Sequence, residues 1–84
     1  MSQQLIVDIL GWIGSVEVIL AYGLISAKRV DASSQFYQWL NLTGAILLII
    51  NTVYYGAYPS TFINLVWVFI ALAALYRVYV LKRA

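Results

Sequence analysis

The chain has 84 residues, of which 64% are hydrophobic and only 10% charged, with five Lys or Arg, three Asp or Glu, no histidine and no cysteine. A soluble domain carries roughly 25% charged residues, so water is not the solvent this sequence is built for. The missing residue types exclude a disulfide framework, a zinc ribbon, a thiolate nucleophile and the commonest general base, and a net charge of +2 is too thin for a nucleic-acid surface.

In chain order, Leu5 to Ile25 is the first apolar stretch long enough to span a bilayer, and it ends in Ser26-Ala27-Lys28-Arg29. Asp31-Ala32-Ser33-Ser34 then supplies N-cap residues for a second helix. Positions 32–76 hold no charge at all. That length accommodates two spans, joined at Tyr54-Tyr55-Gly56-Ala57-Tyr58-Pro59-Ser60, where the only proline suits the first turn of a new helix. The prediction is an all-α integral membrane bundle of three helices over 5–26, 34–55 and 60–80, forming one transmembrane domain over 1–84. No small-residue cleavage site follows the first span, so a cleaved signal peptide is not expected. The first loop (Lys28, Arg29) and the C-terminal end (Arg77, Lys82, Arg83) hold every basic residue. Three crossings place those segments on one side, which predicts the N-terminus outside and the C-terminus in the cytoplasm.

Helical phase sorts the polar residues. In the second helix Tyr37, Gln38, Asn41, Gly44, Ala45, Leu48, Asn51, Thr52 and Tyr55 share a stripe, leaving Leu42, Ile46, Leu47, Ile49, Ile50 and Val53 for lipid. In the third, Ser60, Thr61, Asn64, Trp67, Ala71, Ala74 and Leu75 share a face. Asparagine in hydrocarbon must find a partner, so both stripes are expected to face protein or a water-filled cavity. Asn51 and Asn64 lie at similar depth near the outer end, with Trp67 a turn deeper, and this trio is the candidate site for a small polar solute. Asn41 and Tyr55 lie toward the two ends of such a path. The competing reading is that the asparagines only hydrogen-bond helices together, at roughly 0.6–2 kcal/mol each.

The first helix has Asp8, Gly11, Trp12, Ser15, Tyr22 and Ser26 on one broad face and Gly14, Glu17 and Ala21 on the other. Two such faces predict two protein neighbours, hence an oligomer. Glu17 is the one ionisable group near a helix midpoint. It is either a proton or cation coupling site or a neutral acid hydrogen-bonded across an interface. No catalytic residue, metal ligand or cofactor site is expected.

The length, three spans, orientation and pairing resemble the bacterial half-transporters called SemiSWEETs, of the PQ-loop superfamily. Asn64, the serine-containing loop Lys28-Arg29-Val30-Asp31-Ala32-Ser33-Ser34 and the Tyr55-Gly56 ending of helix 2 carry the likeness. The Pro-Gln dipeptide of that superfamily is absent, and the first helix contains no proline. The resemblance implies a parallel homodimer in the bacterial inner membrane that carries a small polar solute such as a sugar. A nearer likeness covers most of the chain. Ala21-Tyr22, Ser34, Tyr37-Gln38, Leu40-Asn41-Leu42-Thr43-Gly44-Ala45, Pro59-Ser60, Trp67 and Tyr76-Arg77 resemble a family of small bacterial three-helix proteins, some labelled permeases. An acidic residue is usual there where this chain has Asn64. Gly14-Ser15-Val16-Glu17-Val18 is similar to the first helix of small multidrug resistance antiporters, which have four helices. Beside the carrier stand two alternatives: a non-transporting membrane adaptor, and a proton-coupled antiporter using Glu17.

Overall fold

The structure, a computed structural model, describes residues 2–81. Lys82 and Arg83 lie outside the described residues. The first helix, α1 (Gln3–Ser26), starts where the Ser2 side chain accepts from the Leu5 N–H at 3.1 Å. The second, α2 (Gln35–Tyr54), starts in the same way at Ser34, which accepts from Tyr37 N–H at 3.3 Å. These caps satisfy backbone donors that a first turn leaves free. The third, α3 (Tyr58–Tyr76), has no side-chain cap; Pro59 fills its first turn, where a missing N–H costs nothing. It therefore begins at Tyr58, two residues before the expected start, and the connection shrinks to Tyr55–Ala57. The expected end at residue 80 also changes character, since Arg77–Leu81 forms a π-helical segment.

Three stretches, Gln3–Ser26, Gln35–Tyr54 and Tyr58–Val80, are long and apolar enough to cross a membrane. The long dimension of 46 Å matches a bilayer with its headgroups, about 40–45 Å. The remaining dimensions, 23 × 23 Å, are those of helices standing side by side.

The middle helix is α2. It packs against both α1 and α3, which make at most marginal contact with each other. This arrangement explains a difference from expectation. Helical phase assigns Leu42 to lipid, yet it is buried with Ala71 and Leu75, with Val68 packed alongside. A central helix buries two faces, so its protein-facing arc is wider than one stripe. On α1 the two expected faces also merge in part. Val7, Gly11, Gly14 and Ala21 form a single buried seam against α2, at spacings of four, three and seven.

The seam works through absent side chains. A Cβ on Gly14 would stand 2.8 Å from the Gly44 carbonyl oxygen and 2.9 Å from Leu47 Cβ, so the two backbones meet there. Ala21 and Ala45 are completely buried, whereas Trp12, Ile19, Tyr22 and Phe69 are each about 70% exposed. In lipid no hydrophobic force separates these classes; close backbone approach and interhelical hydrogen bonds decide which faces meet.

Candidate functional site

Most of the polar side chains inside the bundle are spent on neighbours. At the end of the molecule away from the basic loop, the Asn51 amide donates to the Val7 carbonyl of α1 at 3.1 Å. That carbonyl stands in register with the Gly11 N–H. Because Gly11 has no Cβ, the Asn51 amide fits into the space a Cβ would occupy. One turn further out the Tyr55 hydroxyl donates to the Asp8 carboxylate. That bond holds the Tyr55 phenol above the usual tyrosine range, with desolvation adding to it. Asp8, Gly11, Trp12 and Asn51 together line a cleft of about 150 Å³.

Asn64 does something else. Its amide donates to the Ser60 carbonyl of its own helix at 3.0 Å, and it lines neither this cleft nor the next. Between α2 and α3 the contact at this level is made by threonines, Thr61 Oγ1 donating to Thr52 Oγ1 at 2.7 Å. The expected trio is thus not assembled. Asn51 faces α1, Asn64 stays with α3, and Trp67 belongs to a deeper cleft. Phase placed all three near one groove but could not distinguish a backbone carbonyl partner from a side-chain partner.

The deeper cleft, about 310 Å³, is lined by Val18, Ile19 and Tyr22 of α1, Tyr37 and Asn41 of α2, and Trp67 of α3. At its floor Asn41 is 6% exposed, and its Oδ1 accepts from the Trp67 indole N–H at 3.3 Å. The Asn41 NH2 group makes no hydrogen bond among the described residues. Tyr22 and Ile19, largely exposed, form the α1 wall. Asp8, Trp12, Ile19 and Tyr22 follow one another at spacings of four, seven and three, so the two clefts open along one face of α1. That is the broad polar face the α1 sequence displayed. Of the cleft residues, Val18 and Ile19 carry no polar signal, and only their phase beside Tyr22 could have pointed to them.

Glu17 lies away from this groove. Its Oε2 is 2.6 Å from the Thr43 hydroxyl, which is also 2.8 Å from the Trp39 carbonyl one turn back on α2. One hydroxyl proton cannot serve both acceptors at once, so Thr43 turns toward one or the other. Thr43 was not among the expected site residues, and an isolated threonine in an apolar run gives no signal that would single it out.

Among the described residues there is no group of three His, Cys, Asp or Glu side chains placed to hold a metal. The geometry therefore defines a class: a small three-helix protein of membrane-crossing dimensions, with a lateral cleft of aromatic walls and an amide floor. Within that class the chain belongs to a family whose sequence model matches residues 7–83. No curated protein and no solved structure matches it.

Proposed function

We propose that the protein is a small-solute carrier of the SemiSWEET-like kind. Two parallel copies, N-termini outside and C-termini in the cytoplasm, would form one path across the bacterial inner membrane. The observation that carries this reading is the cleft between α1 and α3, which draws on all three helices and has Asn41 and Trp67 at its floor. Its volume of about 310 Å³ lies at the small end of the roughly 300–1,000 Å³ range of ligand sites, which suits a solute of monosaccharide size. Tyr22, Tyr37 and Trp67 offer ring faces for stacking on a sugar, and the Asn41 amide offers a donor to a hydroxyl. The cleft is open between α1 and α3, so a second copy is the missing wall. Asn51 and Tyr55 line the outer end of the path, and Asn64 stands beside it.

Uptake of labelled monosaccharides and other small polar solutes into proteoliposomes tests this reading. Wild-type protein is expected to accelerate entry of at least one of them, and Trp67→Ala to reduce it tenfold or more. Asn64→Ala is expected to matter little, given its bond within its own helix. Uptake indifferent to Trp67→Ala and Asn41→Ala would overturn the site. If Glu17 couples transport to protons, Glu17→Gln abolishes the response to a pH gradient and leaves facilitated entry intact.

A second reading has its own support. Asn51 bonds the Val7 carbonyl of α1, as a residue that merely joins helices would, and Asn64 is turned back onto its own helix and away from the cleft. An adaptor or accessory subunit would show no uptake in any reconstitution, and a distinct membrane protein would copurify with it.

A further inference from the structure

Where the first loop meets the C-terminal end of α3 there is a third depression, larger than those two, that the transport reading does not use. It has a volume of about 550 Å³, and its walls include Ser33, Gln38, Ile70, Ala74, Arg77 and Val78. Most of that surface is apolar, and Arg77 is the charged residue among the described residues that line it. The Arg77 side chain makes no hydrogen bond or ion pair among the described residues.

Both walls are held in place. The Gln38 amide donates to the Ala32 carbonyl at 2.8 Å, fixing the loop to α2. On the other side the Tyr79 hydroxyl accepts from the Trp39 indole at 3.1 Å and donates to Gln35 Oε1 at 3.1 Å, fixing the π-helical segment to α2. That segment begins at Arg77, where the backbone leaves the α-helical register. Such π turns often occur at functional positions, because they re-aim the side chains that follow. The loop's carboxylate, Asp31, accepts from both the N–H and the hydroxyl of Ser33.

We infer that this cleft is a binding site for an anionic phospholipid, with an acyl chain along Ile70, Ala74 and Val78 and the phosphate on Arg77. Three features select that occupant. The cleft opens at the end of a membrane-crossing helix, where headgroups and chains meet. Its volume falls within the range of ligand clefts. Among the described residues that line it the one charge is the Arg77 guanidinium, which matches a phosphate in two parallel hydrogen bonds. Basic pockets between helices at a membrane surface hold anionic headgroups for the same reason. The inference does not depend on the transport reading, since it needs only that α3 crosses the bilayer.

The test is retention of lipid by the purified full chain in detergent doped with equal phosphatidylglycerol and phosphatidylcholine, read by native mass spectrometry. The expected result is a preference of about fivefold for phosphatidylglycerol, the factor that one basic group at a membrane surface supplies. Arg77→Lys keeps most of that preference, and Arg77→Gln brings it to parity. Arg29→Gln removes the same charge from the loop and leaves the preference intact. Ala74→Phe fills the cleft and reduces retention of both lipids. The inference is overturned if Arg29→Gln lowers the preference as much as Arg77→Gln, which would mark general surface charge. It is also overturned if the preference survives Arg77→Gln, or if soluble glycerophosphoglycerol displaces the lipid, which would mark a phosphate site without a chain groove.

Discussion

At the scale of single residues, the same helix ending occurs twice with different chemistry. After α1, Lys28 N–H donates to the Ile25 carbonyl at 3.1 Å and Arg29 N–H to the Leu24 carbonyl at 2.9 Å. After α2, Gly56 N–H donates to the Val53 carbonyl at 3.1 Å and Ala57 N–H to the Thr52 carbonyl at 2.8 Å. Both are Schellman motifs, which need a left-handed residue just beyond the cap. Gly56 takes that conformation freely at φ 70°, but Lys28 is held in it at φ 59° with a Cβ. The left-handed region costs an L-residue roughly 1–2 kcal/mol. Lys28→Gly is therefore expected to stabilise the fold by about 0.5–1 kcal/mol, since glycine's greater unfolded-state freedom offsets part of the gain. Gly56→Ala is expected to destabilise it by about 1 kcal/mol. Unfolding in mixed detergent micelles measures both; a Lys28→Gly variant no more stable than wild type would refute the strain argument. Lysine at this glycine position keeps a positive charge beside Arg29 in the first loop.

At the scale of elements, the α1–α2 seam depends on where glycine stands. Gly14 faces backbone: its hypothetical Cβ meets the Gly44 carbonyl, which can move only if the helices part. Gly44 faces the Val18 Cγ2 at 2.8 Å, a side-chain end that can rotate, and the Gly14 carbonyl at 3.1 Å. Gly23 faces nothing within 4 Å. Gly14→Ala should thus cost about 1–3 kcal/mol, as overpacking does, and Gly44→Ala less. Gly23→Ala should gain up to about 1 kcal/mol from helix propensity alone. The ranking, read from the same unfolding experiment, tests the seam; equal effects at Gly14 and Gly23 would show that the helices do not meet there. The sequence displayed this seam only in part. Its small residues are visible, but helical phase puts Gly11 and Gly14 on opposite faces, because a broad two-face division is coarser than a heptad-like seam. The spans were legible because length and charge-free composition determine them directly. The packing order was not, since a single period does not state how many neighbours a helix has, and Leu42 was misassigned for that reason. The site was legible as a set of faces, with Tyr37, Asn41 and Trp67 on them. It was not legible as a set of partners, because Asn51 and Asn64 bond backbone carbonyls that no side-chain pattern reveals.

At the scale of the whole molecule, the decisive property is that α2 carries both interfaces while α1 and α3 scarcely meet. The α1–α2 pair is joined by backbone contact at Gly14 and Gly44 and by the Asn51–Val7 and Tyr55–Asp8 hydrogen bonds. The α2–α3 pair is joined by Thr52–Thr61, by Asn41–Trp67 and by the small apolar cluster of Leu42, Ala71 and Leu75. Only the space between α1 and α3 lacks such ties, and that space is the cleft. Motion is therefore cheapest where it changes the cleft's width and leaves both interfaces intact. Spin labels can measure this directly, because the chain has no native cysteine to replace. Ile13, Ile46 and Phe69 are exposed, one on each helix, and so can carry a label. With labelled protein diluted in unlabelled protein, the Ile13–Phe69 distance distribution is expected to be clearly broader than Ile13–Ile46 or Ile46–Phe69. On the carrier reading, adding a solute that passes the uptake test should narrow the Ile13–Phe69 distribution while the other two stay unchanged. Three distributions of equal width, unaffected by any small polar solute added, would mean that the bundle is rigid about its cleft. A carrier needs its site to open and close, so that result would favour the adaptor reading.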